Sequence, residues 1–213
     1  MPDHQVIFDR LLAMYPDARP ELDFEDPYQT LVATILAAQC TDKRVNQVTP
    51  AVFRDFPTPA AMAQTTPEIL FPYVKSCGFK TKAANIVNAC RMIVEKYGGE
   101  VPHTMEELTS LPGVGRKTAS VVLCFAFGIP AFPVDTHVFR LTHRLGLVTD
   151  AENTPDKVDQ AMRAQLPPEQ WGPMHHALIY HGRRVCHSQR PDCAACALRP
   201  YCPYPEKNEE EKQ

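Results

Sequence analysis

Apolar residues along this chain recur at the spacing of α-helices, and no segment shows the strict alternation of a half-buried strand. One segment carries Leu31, Ile35 and Ala38 at positions i, i+4 and i+7. It follows Asp26 and Pro27, which are residue types favoured at a helix N-cap and at the first helical position. The pattern therefore predicts a helix that begins at or next to Pro27.

Prolines and glycines divide much of the rest of the chain into further short blocks of helical periodicity. The blocks with a helical pattern cover residues 67–76, 82–97, 104–110, 116–127 and 155–165. No internal repeat is present, and composition alone places no domain boundary. We expect an all-α protein.

Length and composition indicate a globular chain with no membrane segment. The sequence has 213 residues, of which 44% are hydrophobic, so it is long enough for one large or two small cores. Its first residues lack the apolar stretch of a signal peptide, and no apolar run approaches the roughly 18 residues of a membrane span. We expect a cytoplasmic protein, in which cysteines remain reduced and act as ligands or core residues.

The formal net charge of −3 is unusual for a protein that binds nucleic acid. Residues 206–213 hold four Glu and two Lys, so the rest of the chain carries −1, and we expect this acidic tail to be solvated and mobile. Positive charge must then be concentrated locally. Candidate basic pairs are Arg116 with Lys117, Lys80 with Lys82, Arg140 with Arg144, and Arg183 with Arg184.

Two glycines mark a turn between two helices. Thr104 and Glu107 have the spacing of a capping box that opens the first helix. Gly113 and Gly115 flank Val114, permit a turn with positive φ, and keep side chains away from the backbone amides. Because a second helix follows at once, those amides lie at a helix N-terminus that suits a phosphate.

An ordinary helical hairpin explains Gly-x-Gly by itself. The full string from residue 111 to 119, Leu-Pro-Gly-Val-Gly-Arg-Lys-Thr-Ala, favours a DNA-binding helix–hairpin–helix over about 104–127. Backbone amides that hold a phosphate fix position without reading sequence, which suits a protein that searches all DNA.

Lys117 follows the hairpin directly and is a candidate nucleophile. A solvated surface lysine is the simpler interpretation for any lysine taken without context. To attack carbon the amine must be neutral, although its ordinary pKa is about 10.4, so the site would have to lower that pKa. Nearby positive charge from Arg116 and from the helix N-terminus acts in that direction.

Asp135 precedes a helix with Val138, Leu141 and Leu145 on one face, so it is a natural N-cap. Capping does not exclude catalysis. An ionised carboxylate held at a helix start can deprotonate an amine or stabilise a developing sugar cation.

Four cysteines close to the C-terminus have the spacing Cys-x6-Cys-x2-Cys-x5-Cys, at Cys186, Cys193, Cys196 and Cys202. Four thiolates in so short a segment fit a tetrahedral zinc site or a cubane iron–sulfur cluster. Structural zinc sites more often use two Cys-x-x-Cys pairs, and only Cys193 and Cys196 form one here. The spacing favours iron–sulfur and leaves zinc open.

With these motifs in place, the sequence resembles the endonuclease III family of DNA glycosylases over nearly the whole chain. The segments that carry the resemblance are residues 38–42, 111–118, 134–137, 175–176 and 181–183, together with the four-cysteine pattern. The resemblance implies a two-domain helical fold. A six-helix barrel domain would cover 20–129, and an iron–sulfur domain would combine 1–19 with 130–213.

The resemblance also implies a function: a base excision repair enzyme that removes damaged, oxidised pyrimidines from double-stranded DNA and cleaves the strand at the abasic site. Lys117 would attack the anomeric carbon and form a Schiff base, and Asp135 would be the essential carboxylate. Gln39 matches the residue that fills the gap left by the flipped nucleotide. Phe79 corresponds to a second residue that enters the duplex, and it lies in a loop that is one residue shorter than the family pattern.

The same resemblance implies that the four cysteines ligate a [4Fe–4S] cluster. We expect a monomer that acts on the nucleoid and has no membrane association. Two other interpretations compete with a glycosylase that also cleaves the strand. Monofunctional relatives use water as the nucleophile and typically lack the lysine at position 117, and a non-enzymatic redox module would use only the hairpin and the cluster.

Overall fold

The computed structural model describes residues 3–204, and the acidic tail predicted at 206–213 lies outside them. The described residues form eleven α-helices and no strand, which confirms the all-α prediction. In chain order the helices are α1 (His4–Met14), α2 (Pro27–Ala37), α3 (Asp42–Asp55), α4 (Pro59–Ala63), α5 (Pro67–Val74), α6 (Lys80–Tyr97), α7 (Met105–Ser110), α8 (Arg116–Ala126), α9 (Thr136–Arg144), α10 (Pro155–Gln165) and α11 (Pro168–Arg184).

Several helix boundaries agree with the sequence pattern. Helix α2 begins at Pro27, and the Asp26 carboxylate accepts a hydrogen bond of 2.8 Å from the Gln29 amide. Helix α10 spans the predicted 155–165. Helix α6 begins two residues earlier than predicted, because Phe79 supplies an extended N-cap and the polar residues after it already belong to the first turn.

The chain divides into two compact units. One is the continuous segment Pro20–Ile129, and the other joins the chain up to Arg19 with the chain from Pro130 onward. The first unit therefore contains α2 to α8, and the second contains α1 and α9 to α11.

Helix α2 is the central element of the continuous unit. Its residues from Thr30 to Leu36 are all buried, and α3, α6 and α8 pack against it. Two buried threonines interrupt its apolar surface. The hydroxyl of Thr30 donates to the Asp26 carbonyl and that of Thr34 donates to the Thr30 carbonyl, both at 2.7 Å, so neither is left unsatisfied.

In the second unit α11 packs against both α1 and α9. The apolar side of α1 places Ile7, Phe8 and Leu11 in a core shared with Leu141 of α9 and Met174 of α11. Within residues 3–204 no helix is both long enough and apolar enough to cross a membrane.

Candidate active site and cysteine pocket

The predicted capping box at the start of α7 is present. The Thr104 hydroxyl accepts from the Glu107 amide at 3.2 Å and donates to the Glu107 carboxylate at 2.7 Å. A five-residue turn then leads to α8, whose N-cap is Gly115. The two helices pack against each other, as the sequence pattern predicts for a hairpin.

The two glycines of the turn have different physical roles. Gly113 has φ +77°, and a Cβ atom there would lie 2.7 Å from the Asn85 side chain. Gly115 has φ −89°, and a Cβ atom there would meet nothing within 4 Å. Val114 between them is buried. The turn is therefore anchored by Val114 and Asn85, and the open space at Gly115 leaves room for an anion at the N-terminus of α8.

Lys117 is the second residue of α8 and is exposed. The other side of this helix is anchored in the core by Ala119, Val122 and Leu123. Ser120 is also buried, although it follows Lys117 by three residues and therefore lies on the same side of the helix. The structure thus presents an exposed amine next to the glycine turn, on a helix that is fixed in the core by packing.

Asp135 is the N-cap of α9 and is half-buried. Its carboxylate accepts a hydrogen bond of 2.8 Å from the Val138 amide, as predicted. The segment before it is held by α11, because the buried His175 ring nitrogen Nδ1 lies 2.7 Å from the Pro133 carbonyl. Helix α11 therefore holds the backbone two residues before Asp135.

The neighbouring His176 is neutral at ordinary pH. Burial lowers the pKa of His176 to about 3, and His175 and Arg183 act in the same direction. The Asp135 carboxylate opposes this shift. A neutral imidazole next to a carboxylate can hydrogen-bond to it without neutralising its charge.

The two residues predicted to enter DNA are both exposed, and both belong to the continuous unit. Gln39 follows α2 and has φ +58°, one of two non-glycine residues with positive φ in the described chain. Phe79 is 76% exposed, which is unusual for so large an apolar side chain. Lys117 also belongs to this unit, and Asp135 belongs to the other.

The four cysteines line one cavity in the second unit. Its wall also contains Leu145, Val185, Pro191 and Tyr204. Burial raises the pKa of the Cys202 thiol to about 11 and also raises that of Cys196. No group of three or more metal-ligating side chains within residues 3–204 converges on one point for a single ion. The arrangement offers four sulfurs around a common apolar space, which fits the donor set of a four-iron cluster.

Polar contacts to the sulfurs come from two helices, α9 and α11. The Arg144 guanidinium lies 3.5 Å from the Cys186 sulfur and also donates to the carbonyls of His187 and Ser188. The His181 nitrogen Nε2 lies 3.5 Å from the Cys196 sulfur. Hydrogen bonds of this kind adjust the properties of iron–sulfur clusters.

Arg140 and Gly182 support the cysteine loop, a role that the sequence pattern does not predict. The half-buried guanidinium of Arg140 donates to the carbonyls of Gly182 and Cys186 at 3.2 and 3.0 Å. A Cβ atom on Gly182 would lie 2.9 Å from His137 and 3.0 Å from Arg140. A larger residue at 182 would therefore displace the Arg140 guanidinium or the His137 ring. Arg140 and Arg144, which the sequence suggests as a basic pair for DNA, instead hold the cysteine loop.

Comparison with known proteins agrees with these features. Residues 32–168 match the model of the HhH-GPD superfamily base excision DNA repair proteins, which covers more than half of the chain. The chain belongs to this superfamily. Endonuclease III from Synechocystis sp. is 48% identical over 195 residues, which are 91% of this chain and 88% of that relative.

Two solved structures have the same fold over nearly the full length. A non-covalent endonuclease III–DNA complex superposes with a TM-score of 0.91 at 40% identity and covers 97% of this chain and 96% of that one. A trapped endonuclease III–DNA covalent intermediate gives a TM-score of 0.92 at 40% identity, with 98% and 99% covered. The predicted family and fold are confirmed, and the chain is an enzyme, a DNA glycosylase of base excision repair.

Proposed function

We propose that this HhH-GPD enzyme removes oxidised pyrimidines from double-stranded DNA and then cleaves the strand 3′ to the abasic site. The observation that carries the proposal is Lys117, an exposed amine on the first turn of α8, next to a helix N-terminus with open space at Gly115 that suits a phosphate. A trapped covalent DNA intermediate of a 40% identical endonuclease III supports a nucleophile of this kind.

Binding begins with the DNA backbone. The Val114 amide donates to the Leu111 carbonyl at 3.1 Å within the turn, so the phosphate is held by the amides from Gly115 onward, at the positive end of α8. Gln39 and Phe79 enter the duplex, where Gln39 fills the space of the extruded nucleotide and Phe79 separates neighbouring bases. Extrusion is required because the bond between sugar and base is inaccessible inside a stacked duplex.

The chemistry then takes place at the sugar. The neutral amine of Lys117 attacks the anomeric carbon, a bond forms between nitrogen and carbon, and the bond to the damaged base breaks with its electron pair leaving on the base. The sugar ring opens to give a protonated Schiff base. Loss of a proton from the adjacent carbon breaks the bond to the 3′ oxygen, which is the β-elimination.

Asp135 acts on protons and charge. We assign it to removal of a proton from the attacking amine and to stabilisation of positive charge on the sugar. Its hydrogen bond from the Val138 amide favours the ionised carboxylate that both roles need.

The four cysteines of the cavity would hold a [4Fe–4S] cluster, whose contribution is to order the loop from Cys186 to Cys202. We assign Pro20–Ile129 to the barrel domain with the helix–hairpin–helix and the second unit to the cluster domain. The proposed substrate is double-stranded DNA with a damaged base or an abasic site. We expect the enzyme to act as a monomer on the nucleoid in the cytoplasm.

Borohydride trapping tests this function. Duplexes with thymine glycol or with an abasic site are incubated with the enzyme and borohydride, which reduces a Schiff base to a stable crosslink. Wild type should form a crosslink on both duplexes, and Lys117→Gln should form none while it still binds DNA. Lys96→Gln, which removes an exposed lysine of α6, should behave as wild type. Base removal without a crosslink would instead indicate a monofunctional enzyme.

A further inference from the structure

The side chain of Lys82 ends among three backbone carbonyl oxygens. Its ammonium nitrogen lies 2.8 Å from the oxygen of Leu36, and 2.5 Å from those of Ala38 and Cys77. An ammonium group has three N–H donors and no acceptor, so these contacts occupy all three. In the sequence Lys82 forms a candidate basic pair with Lys80 that could offer charge to DNA, whereas in the structure its ammonium group binds to protein carbonyls.

The three carbonyls lie at the C-terminal ends of two helical segments, each of which leads into a loop. Leu36 and Ala38 end α2, where carbonyls lack partners within the helix and the helix dipole favours a cation. Cys77 ends a short 3₁₀ helix, Lys75–Cys77, on the other loop. Next to it Gly78 has φ +129°, and a Cβ atom there would lie 3.3 Å from the Lys82 nitrogen. Glycine at 78 leaves the space through which the lysine reaches both loops.

Each bridged loop carries one of the two residues that we assign to the duplex. The Ala38 carbonyl is directly followed by Gln39, whose positive φ is uncommon for a residue with a side chain. The Cys77 carbonyl is two residues before Phe79, the most exposed large apolar side chain within residues 3–204. Lys82 thus fixes the backbone from which both side chains project.

A second contact joins the same loops. The Cys77 thiol donates to the carbonyl of Arg44, in the first turn of α3, at 3.9 Å. Burial in the first place, and the nearby thiol of Cys40 in the second, raise the pKa of Cys77 to about 11. Since Cys40 directly follows Gln39, the segment of Cys77 is held next to the segment of Gln39 at a second point within one compact unit.

We propose that Lys82 is a positioning residue that makes the loops of Gln39 and Phe79 a single rigid element for entry into DNA. The proposal rests on the proposed function, since it concerns how the damaged nucleotide is extruded before Lys117 reacts. Lys82 itself does not contact the reacting atoms. Its loss should therefore affect substrates that must be extruded from a stacked duplex more than a substrate that already lacks the base.

The variant Lys82→Met keeps the aliphatic stem and removes the three donors. Two single-turnover rates are measured with enzyme in excess: base removal from a thymine-glycol duplex, and strand cleavage at a pre-formed abasic site. We expect the rate of base removal to fall on the order of tenfold to a hundredfold, because Gln39 and Phe79 would be misplaced. The rate of cleavage at the abasic site should change by less than about threefold. A 2-aminopurine next to the lesion should show slower unstacking in the same variant.

Lys75→Met is the matched control, because it removes an exposed lysine from the same 3₁₀ segment without touching the bridge. It should leave both rates unchanged. Lys82→Arg, which keeps the charge and N–H donors, should recover part of the lost rate. If Lys82→Met fails to fold by circular dichroism, Lys82→Gln with two N–H donors is measured in its place.

Equal losses on both substrates, or the same loss in Lys75→Met, would overturn the positioning role. Wild-type base removal by Lys82→Met would do so as well. These outcomes differ from failure of the proposed function, in which wild type itself forms no crosslink with either duplex.

Discussion

Gly113 lies so close to Asn85 that a Cβ atom added to the glycine would be 2.7 Å from both the Cβ and the Nδ2 atoms of Asn85. Its φ of +77° adds backbone strain for any other residue. Gly113→Ala should therefore destabilise the protein by about 1–3 kcal/mol and distort the phosphate-binding turn. Thermal unfolding and DNA affinity measured by anisotropy should both decline.

Gly115 provides the comparison for this variant, since a Cβ atom there has open space and the backbone has an ordinary φ. Gly115→Ala should cost only the N-cap preference, about 1 kcal/mol or less. It should still weaken DNA binding, because a methyl group then lies in front of the amides. Equal melting temperatures for Gly113→Ala and wild type would contradict the close contact with Asn85.

Asp135→Asn separates the capping role of Asp135 from its chemical role. Asparagine caps a helix about as well as aspartate, so the free energy of unfolding should change by less than about 1 kcal/mol. Base removal should slow on the order of a hundredfold to ten-thousandfold, because the amide cannot accept a proton or supply negative charge. Single-turnover kinetics and urea unfolding measure the two effects.

Asp26→Asn makes the same chemical change at the N-cap of α2 and serves as the control. The Asp26 carboxylate accepts a hydrogen bond from the Gln29 amide in the same manner. Its replacement should leave the rate of base removal unaltered. A normal rate in Asp135→Asn would reduce Asp135 to a helix cap.

The cysteine pocket leads to a metal prediction. Purified enzyme should be yellow-brown and contain about four irons per chain with little zinc, and Cys193→Ala should lose its visible absorption. Cys193 lies between the long and the short spacing of the pattern, so its loss removes a central ligand. Cys90→Ala, a change in the core of the other unit, should retain the iron. One zinc per chain and no iron would refute the cluster while leaving the assignment of Lys117 intact.

The lowered pKa of His176 predicts that the protein loses stability in acid. Its pKa is about 3 in the folded protein, chiefly through burial, whereas the ordinary value is 6.5. Between these two values the unfolded chain binds a proton that the folded protein does not. The stabilising contribution is therefore complete above about pH 6.5 and is lost as the pH falls towards 3, by at most about 1.4 kcal/mol for each pH unit.

The measurement compares the free energy of unfolding of wild type and His176→Gln between pH 7 and pH 4. Glutamine does not titrate, so the difference between the two proteins should shrink as the pH falls. Groups that respond to acid in both proteins cancel in this difference. Parallel curves would show that His176 does not titrate in this window.

Local signals in the sequence identified much of the fold and the candidate chemistry. The N-caps Asp26, Thr104 and Asp135 were predicted because capping depends on residues three positions apart, and all three are present. The hairpin at Gly113 and Gly115 was predicted for the same reason, since turn geometry is local.

Contacts between distant segments were not predictable from one sequence. Lys82 has the appearance of a surface lysine because its carbonyl partners Leu36 and Ala38 lie more than 40 residues earlier. Gly182 has the appearance of an ordinary helix interruption, although it permits the close approach of Arg140. Hydrophobic periodicity reports which face of a helix is buried, but not which helix covers it.

The division of the second unit between both ends of the chain affects how the protein folds during synthesis. All of Pro20–Ile129 is available for folding while the ribosome still adds later residues. Of the described helices α1 is made first, yet Ile7, Phe8 and Leu11 find their core only after α11 has been completed. The earliest helix thus keeps an apolar face exposed until nearly the last one emerges, and this is the interval in which the nascent chain is most vulnerable to aggregation.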